Sequence, residues 1–352
     1  MNKESVDFLK SLVSEISPSG FEQDAVAVWK RRTSTFADQV RSDVHGSGIA
    51  VLNEKKSFRV MLSGHIDEVG YMVKYVDKEG YVYFSPVGGI DLHLVPGQRV
   101  WIKTKKSKVL GVIGKKPVHL LESEERTKVA KIEQLWIDIG AKNEKEAKSI
   151  LSIGDVAVPA VGFEVLNADK VVGRGFDDKA GAFVVSETLQ LLCQKKINTA
   201  VYAVATVQEE VGLRGAQTSA YGISPDIGIA IDVTFATDFP GMDKRKIGDI
   251  KLGAGPVIAR GPNINPKVFD LLLKTAQNLK IPYQIEGIPR GTCTDANVIQ
   301  LTKLGVAAGL VSIPLRYMHT PVEIISLKDL ENTAKLLAGF ITKIDPKMSL
   351  LP

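Results

Sequence analysis

Ionisable side chains follow four short apolar runs in the sequence. The runs cover residues 59–64, 200–207, 227–231 and 306–314, and the side chains that follow them are His65, Asp67, Glu209, Glu210, Asp232 and His319. Imidazole and carboxylate groups are ligands for zinc and similar divalent ions. A carboxylate shared by two such ions, with a further glutamate left uncoordinated, is an arrangement that suits two-metal hydrolysis. The set therefore predicts a hydrolytic site for two divalent metal ions.

The aspartate pair Asp177 and Asp178 adds two more carboxylates, in the segment GRGFDDKAG. The pair precedes a predicted helix, where an aspartate also acts as an N-terminal cap for free backbone N–H groups. Capping accounts for one aspartate better than for two. The pair is therefore open to both interpretations, helix cap and metal ligand.

The other candidates also have purely structural explanations when each is taken alone. Glu209 and Glu210 suit a solvent-exposed loop, and Asp232 suits a turn. If the two glutamates instead continue a strand, one of them faces the interior, where a carboxylate needs a cation or a hydrogen-bond donor. His65 and Asp67 share one face of a strand. Because a metal-bound imidazole commonly donates its other N–H to a carboxylate, we expect Asp67 to orient His65.

Other catalytic classes lack their sequence signatures. The chain has no GxSxG, GxxxxGK[ST] or HExxH motif, which argues against a nucleophile elbow, a phosphate-binding loop and a zincin helix. A glycosidase needs two carboxyl groups on opposite sides of a sugar, about 5–9 Å apart. The adjacent Glu209 and Glu210 would not supply that separation alone.

The four apolar runs are long enough for buried strands of a parallel or mixed sheet covered by helices. Helices are predicted between them, at 179–194, 266–279 and 327–344. In open α/β sheets, ligands bind beyond the carboxyl ends of the strands. The pattern predicts an α/β fold in which a mixed sheet, flanked by helices, brings the candidate ligands to one edge.

The segment from Tyr71 to Val165 has a different sequence pattern. It contains alternating stretches such as YMVKYV, RVWIKT and KVLGVIG, separated by turn signals, and one helical stretch at 144–151. We therefore expect residues 1–70 and 166–352 to form the catalytic α/β domain. Residues 71–165 are expected to form a small β-rich inserted domain.

Composition is ordinary for a globular protein of 352 residues, with 44% hydrophobic and 24% charged residues and a net charge of +5. The densest basic stretch, 99–116, alternates like a solvated strand face, so we predict no nucleic-acid partner. No apolar run reaches membrane-spanning length, and the N-terminal segment is typical of an amphipathic helix rather than a signal peptide. Two cysteines without CxxC spacing favour a reducing cytoplasm over a disulfide framework.

Five segments, in this order along the chain, resemble the M42 family of metalloaminopeptidases. They are GHIDEVG, GRGFDDKAG, VQEEVGLRGA, the strand that ends on Asp232, and SIPLRYMHTPVE. A further segment, GGIDLHLVPGQRVWI, resembles the domain inserted in that family. The resemblance implies a dinuclear zinc-peptidase-like fold with a small β-barrel-like insert. It also implies cytosolic enzymes with two zinc or cobalt ions that remove N-terminal residues from peptides and assemble into dimers or tetrahedral dodecamers.

The resemblance also implies a role for each candidate residue. The implied metal ligands are His65, Asp177, Glu210, Asp232 and His319. Each histidine would bind one ion, and Asp177 would bridge them, because the first aspartate of the pair is the bridging one in the family pattern. Glu209 would be the general base, and Asp67 would orient a ligand imidazole. The insert would serve homo-oligomer assembly.

Two other functions remain as alternatives. One is an endoglucanase-type glycan hydrolase, because some relatives in the family carry a cellulase label. The other is a catalytically inert metal-binding scaffold, whose expected signature is loss of the general base. The sequence retains Glu209, which favours an enzyme acting on peptides with a free N-terminus.

Overall fold

The computed structural model describes residues 1–352 and contains one large sheet, one closed barrel and one small sheet. The strands are β1 Gln39–Ser42, β2 Gly48–Leu52, β3 Arg59–His65, β4 Gly70–Val76, β5 Val82–Val87, β6 Arg99–Lys103, β7 Lys108–Gly114, β8 Trp136–Asp138, β9 Val156–Pro159, β10 Glu164–Asn167, β11 Lys170–Gly173, β12 Ala200–Thr206, β13 Ile227–Phe235, β14 Val257–Arg260, β15 Gln284–Gly287, β16 Ala307–Leu315 and β17 Glu323–Ser326. The helices are α1 Lys3–Ser14, α2 Gln23–Thr33, α3 Glu144–Ile150, α4 Phe176–Leu192, α5 Arg214–Ile223, α6 Lys244–Ile247, α7 Pro266–Asn278, α8 Ala296–Ile299 and α9 Leu327–Thr342.

The four apolar runs become neighbouring strands of the eight-stranded sheet, whose order is β1-β2-β12-β3-β13-β16-β14-β15. Strands β12, β3, β13 and β16 run parallel to their neighbours in this group. Strand β2 lies antiparallel to β12, and β14 lies antiparallel to β16. The predicted mixed α/β sheet is confirmed.

Both faces of the large sheet are covered by helices, as the continuous apolar runs require. Alternate residues of a strand enter different cores: Leu62 belongs to a cluster of 54 buried residues, while Met61 belongs to a second cluster of 10. The larger cluster contains residues of α1, α2, α4, α7 and α9, and the smaller one contains residues of α5 and α8. The sheet is therefore the middle of three layers.

The inserted segment forms a closed barrel with strand order β4-β5-β8-β7-β6-β9. Its alternating sequence places every second side chain inside: Val100 and Ile102 of β6 are fully buried, whereas Trp101 between them is exposed. The barrel has its own core of 14 buried residues. The predicted small barrel-like insert is thus confirmed as part of the fold.

A third, three-stranded sheet joins β10, β11 and β17 in antiparallel order. Because β10 pairs here, the strands of the barrel extend from residue 70 to residue 159. The small sheet places β17 directly before α9, close to the end of β16 through a bridge between Arg316 and Ile324. Cys193 and Cys293 are both free, and none of the helices combines the length and apolar character needed to cross a membrane.

Candidate metal centre

His65 is the last residue of β3, and its side chain is buried at 2% exposure. The preceding Gly64 allows α4 to pass directly over the strand, since a Cβ on residue 64 would lie 2.3 Å from the carbonyl carbon of Gly181. In this close approach, the backbone N–H of His65 donates to Oδ2 of Asp178 over 3.1 Å. The glycine therefore lets the helix hold the end of the strand in place.

Asp232 lies inside β13, and not at its end as the sequence predicts. The strand continues through Phe235 because Val233, Thr234 and Phe235 keep pairing with β16. Its pairing with β3 stops earlier, at Ala230. Beyond that point β13 has no neighbour on the β3 side, and the buried Asp232 lines the cavity that also contains the two histidines.

Asp177 lies between the two histidines. Its Oδ1 is 3.2 Å from Nε2 of His65, and its Oδ2 is 3.2 Å from Nε2 of His319. One carboxylate thus presents one oxygen to each imidazole.

The side chain of Asp178 is fully buried, and it contacts backbone N–H groups. Its Oδ1 accepts a hydrogen bond of 2.9 Å from the backbone N–H of Gly181, and its Oδ2 accepts the N–H of His65. Both oxygens therefore stabilise the backbone around the first turn of α4. Asp178 thus takes the capping role, whereas the side chain of Asp177 faces the two imidazoles.

Glu209 and Glu210 follow β12, which ends at Thr206, so the alternation of a strand does not apply to them. Gln208 takes a positive φ of 57° and turns the chain. Both glutamates then face the histidines: Oε2 of Glu209 lies 3.8 Å from Nε2 of His65, and Oε1 of Glu210 lies 3.3 Å from Nε2 of His319. Strand alternation, which would turn one of the pair away, therefore does not hold here, and both carboxylates lie beside the histidines.

Asp67 stabilises this turn as well as the first histidine. Its Oδ1 and Oδ2 accept the backbone N–H groups of Glu209 and Glu210 over 3.1 and 3.2 Å, and Oδ2 also accepts the hydroxyl of Ser19 over 2.6 Å. Nδ1 of His65 lies 3.1 Å from the backbone carbonyl of Asp67 and 3.5 Å from its Oδ1. The nearer hydrogen-bond acceptor for the imidazole is the carbonyl.

His319 lies in the loop between β16 and β17, where a φ of 60° turns its side chain back over the sheet. It is less buried than His65, with a side-chain exposure of 32%. Its Nδ1 contacts the carbonyl oxygen of Gly89 over 2.8 Å. Gly89 follows β5 of the barrel, so the inserted segment contributes a main-chain partner to the site.

Sequence reasoning missed Glu323, which is buried at the start of β17. Its Oε2 accepts the backbone N–H of Asp177 over 3.2 Å, and its Oε1 accepts that of His319 over 3.0 Å. The carboxylate thereby fixes the backbone of two residues that lie 142 positions apart in the numbering. The only available signal was an acidic residue opening the apolar strand EIIS.

A buried ion cluster below the site was also missed. Glu68 accepts hydrogen bonds from Arg174 and, over 2.7 Å, from Nζ of Lys179, and all three side chains are at most 4% exposed. Despite burial, the two cations hold the pKa of Glu68 at about 2. The cluster flanks Gly175 and Asp177, where a Cβ on residue 175 would lie 2.7 Å from Oε2 of Glu68. It fixes the chain segment that carries Asp177.

The charge balance of the site favours a cation. Five carboxyl groups converge with two imidazoles, namely Asp177, Asp178, Glu209, Glu210 and Asp232 with His65 and His319. Burial raises the pKa of Glu209 to about 10 against the opposing effect of His65, and it raises the pKa of Asp232 well above its usual value. Burial alone lowers the pKa of His319, but the adjacent carboxylates of Asp177 and Glu210 raise it to about 11. Without another cation, the carboxylates lose their charge by taking up protons.

The donor set fits divalent metal ions. Two groups of three donor atoms lie within 4.8 Å of one another: His65 with Asp177 and Glu210, and His65 with Asp178 and Asp232. Oε1 of Glu210 is buried and accepts no well-aligned hydrogen bond, although Nε2 of His319 lies 3.3 Å away; a carboxylate oxygen in such a position needs a partner. Imidazole nitrogen with carboxylate oxygen is a zinc-like or cobalt-like ligand set.

A cavity of about 550 Å³ opens from these residues, a size that suits a small ligand. Its lining also includes the second half of β13, residues 286–294 and Met318. The carboxylates and histidines share this cavity with the other lining residues, so a ligand that reaches them also contacts those residues.

Comparison with known proteins agrees with this geometry. The model of the M42 glutamyl aminopeptidase family matches residues 46–336. A lysyl aminopeptidase of Pyrococcus furiosus is 36% identical over 97% of this chain and 97% of its own. The crystal structure of a TET aminopeptidase from a marine sediment archaeon, Thaumarchaeota archaeon SCGC AB-539-E09, superposes with a TM-score of 0.93 at 36% identity, covering 97% of each chain.

A second solved structure is that of the TET1 peptidase of Pyrococcus horikoshii, described as able to assemble into a tetrahedron or a large octahedral shell. It superposes with a TM-score of 0.87 at 32% identity, covering 97% of this chain and all of the other. The family model and the relatives cover the sheet, the barrel and the metal centre alike. The chain therefore belongs to the M42 glutamyl aminopeptidase family, whose members are hydrolases acting on peptide bonds.

Proposed function

We propose that this aminopeptidase works with two divalent metal ions, zinc or cobalt, and that Glu209 is its general base. The observation that carries the proposal is the position of Asp177, whose two oxygens each lie 3.2 Å from a different imidazole. In this proposal His65 and Asp232 complete one ion's ligands, and Glu210 and His319 complete the other's. Asp178 serves the backbone, because both of its oxygens already accept N–H groups.

Ions of this kind, when bound, lower the pKa of water and polarise the scissile carbonyl group. Glu209 then moves the proton: its carboxylate faces the cavity beside His65, and it has no hydrogen bond to another side chain. It accepts the proton of the attacking water and passes it to the leaving amine. Asp67 holds Glu209 in place through the backbone of the turn.

A glycan hydrolase is less well supported by this geometry. Glu209 and Glu210 both point toward the same pair of imidazoles, whereas glycosidase carboxyls must flank a sugar from opposite sides. The proposed function is tested with a panel of aminoacyl-nitroanilides, with and without added zinc or cobalt. Cleavage that excess EDTA abolishes and metal restores is expected. Cleavage of a soluble glucan but of no aminoacyl substrate would contradict the proposal.

We also propose that the protein forms a homo-oligomer through the barrel. The outer face of the barrel carries Trp101, Leu110 and Val112 on the paired strands β6 and β7, and all three are at least 36% exposed. Contiguous apolar surface of this kind marks association sites. Mass measurement in solution should give an assembly for the wild type and a smaller species for Leu110→Lys. A monomeric wild type would contradict this proposal.

A further inference from the structure

An acidic side chain, Glu286, lines the same cavity as the proposed metal ligands. Thr234 follows Asp232 by two positions on β13, so both side chains lie on the same face of the strand, about 7 Å apart along it. The hydroxyl of Thr234 donates a hydrogen bond of 2.9 Å to Oε2 of Glu286 on the edge strand β15. All three residues line the cavity. Glu286 therefore lines the cavity next to Thr234, which lies two residues further along β13 than the proposed ligand Asp232.

Glu286 has no counter-charge within the protein. The Thr234 hydroxyl is its single hydrogen-bond partner, and it takes part in no ion pair. Burial raises the pKa of its carboxyl, and only the threonine opposes this. A partly desolvated carboxylate with a free oxygen is best stabilised by a cationic partner.

The basic residues at the cavity do not supply that partner. Lys246 and Arg290 line its rim, and both are exposed to solvent. Neither forms an ion pair with Glu286 or with any other acid. Exposed cations are screened by water and salt, whereas a fixed charge on a partly buried wall is screened much less. Among the charged residues that line the cavity outside the metal centre, Glu286 is the one that is partly buried.

We propose that Glu286 recognises the side chain of the substrate's N-terminal residue and gives the enzyme a preference for lysine and arginine at that position. The inference rests on the proposed aminopeptidase function of the same site. A peptide bond held at the metal centre leaves the N-terminal side chain to extend along the cavity wall. Lysine carries its ammonium on a long flexible stem, and arginine carries a planar guanidinium that pairs with a carboxylate. An acidic side chain would meet like charge there.

The test compares kcat/KM of the metal-loaded enzyme for the p-nitroanilides of lysine, arginine, norleucine and glutamate. Norleucine is the matched neutral control, because its side chain is the four-carbon stem of lysine without the ammonium group. We expect the wild type to prefer lysine and arginine. Glu286→Gln keeps an acceptor for Thr234 and should lower kcat/KM for both basic substrates by roughly 30-fold, the size expected when one partner of a desolvated charge pair is lost. Cleavage of norleucine should change less than about two-fold.

Arg290→Gln is the control variant at the rim and should leave the lysine preference unchanged. A wild type that prefers glutamate and loses this preference in Arg290→Gln would overturn the inference while supporting the aminopeptidase function. Equal losses on norleucine and lysine in Glu286→Gln would assign the residue a structural role only and would also overturn it. A wild type that cleaves none of the four substrates would overturn the proposed function itself, and the inference with it.

Discussion

Replacing Glu68 by glutamine should destabilise the protein strongly, although the side chain keeps its size. The change leaves Arg174 and Lys179 buried beside an uncharged amide. The pKa of Glu68 is lowered from 4.5 to about 2 in the folded state. At about 1.4 kcal/mol per pKa unit, the charged form is favoured by roughly 3 kcal/mol. Breaking a buried ion pair by removing one partner costs about 3–5 kcal/mol, so the two magnitudes agree.

The assay is denaturant unfolding at pH 7 in the presence of EDTA, so that metal binding does not contribute. Glu144→Gln is the matched control, because Glu144 pairs with Lys148 on an exposed helix surface and should cost less than about 1 kcal/mol. Adding Arg174→Met to Glu68→Gln should recover part of the loss, since one uncompensated cation is then removed. A loss below about 1 kcal/mol for Glu68→Gln would refute the reasoning.

Three further perturbations have defined outcomes. Gly64→Ala should destabilise the protein and lower metal content, because its Cβ would lie 2.3 Å from the backbone of Gly181; unchanged thermal stability would contradict this. Burial raises the pKa of Asp329 to about 6 in the folded state, so the folded protein holds this proton more tightly than the unfolded chain. The stability of the wild type relative to Asp329→Asn should therefore fall by at most about 3 kcal/mol as pH rises from 4 to 7. Measuring the free energy of unfolding as a function of pH checks the sign. Glu323→Gln should weaken metal affinity by roughly 10–100-fold, as loss of an outer-shell partner does, and isothermal titration with zinc measures it.

The location of the site could be predicted because its ionisable residues directly follow apolar runs. His65 and the Glu209–Glu210 pair lie where the sequence places them, at the ends of two strands that are adjacent in the sheet. Strand pairing itself is long-range. The continuation of β13 past Asp232 depends on its pairing with β16, whose residues lie some eighty positions later, so local patterns did not reveal it.

The groups that support the site could not be predicted for the same reason. Glu68 is matched by two cations that lie more than 100 positions away in the chain. Glu323 gains its role only when the loop of His319 and the start of α4 meet. From the local sequence, a buried acidic residue cannot be told from an exposed one, because its partners lie far away in the chain. Its importance follows from the fold, since burial is tolerated only where hydrogen bonds or opposite charge are present.

The most direct test of the account is a paired measurement of metal content and turnover in Glu209→Gln and Glu210→Gln. Glu209→Gln should keep two ions per chain while kcat falls by roughly 10²–10⁴-fold, because an amide cannot accept the proton. Glu210→Gln should lose occupancy of one ion, and excess metal should restore part of its activity. If Glu209→Gln loses metal while Glu210→Gln keeps both ions without turnover, the two roles are exchanged. Full activity in both variants would contradict the proposed site.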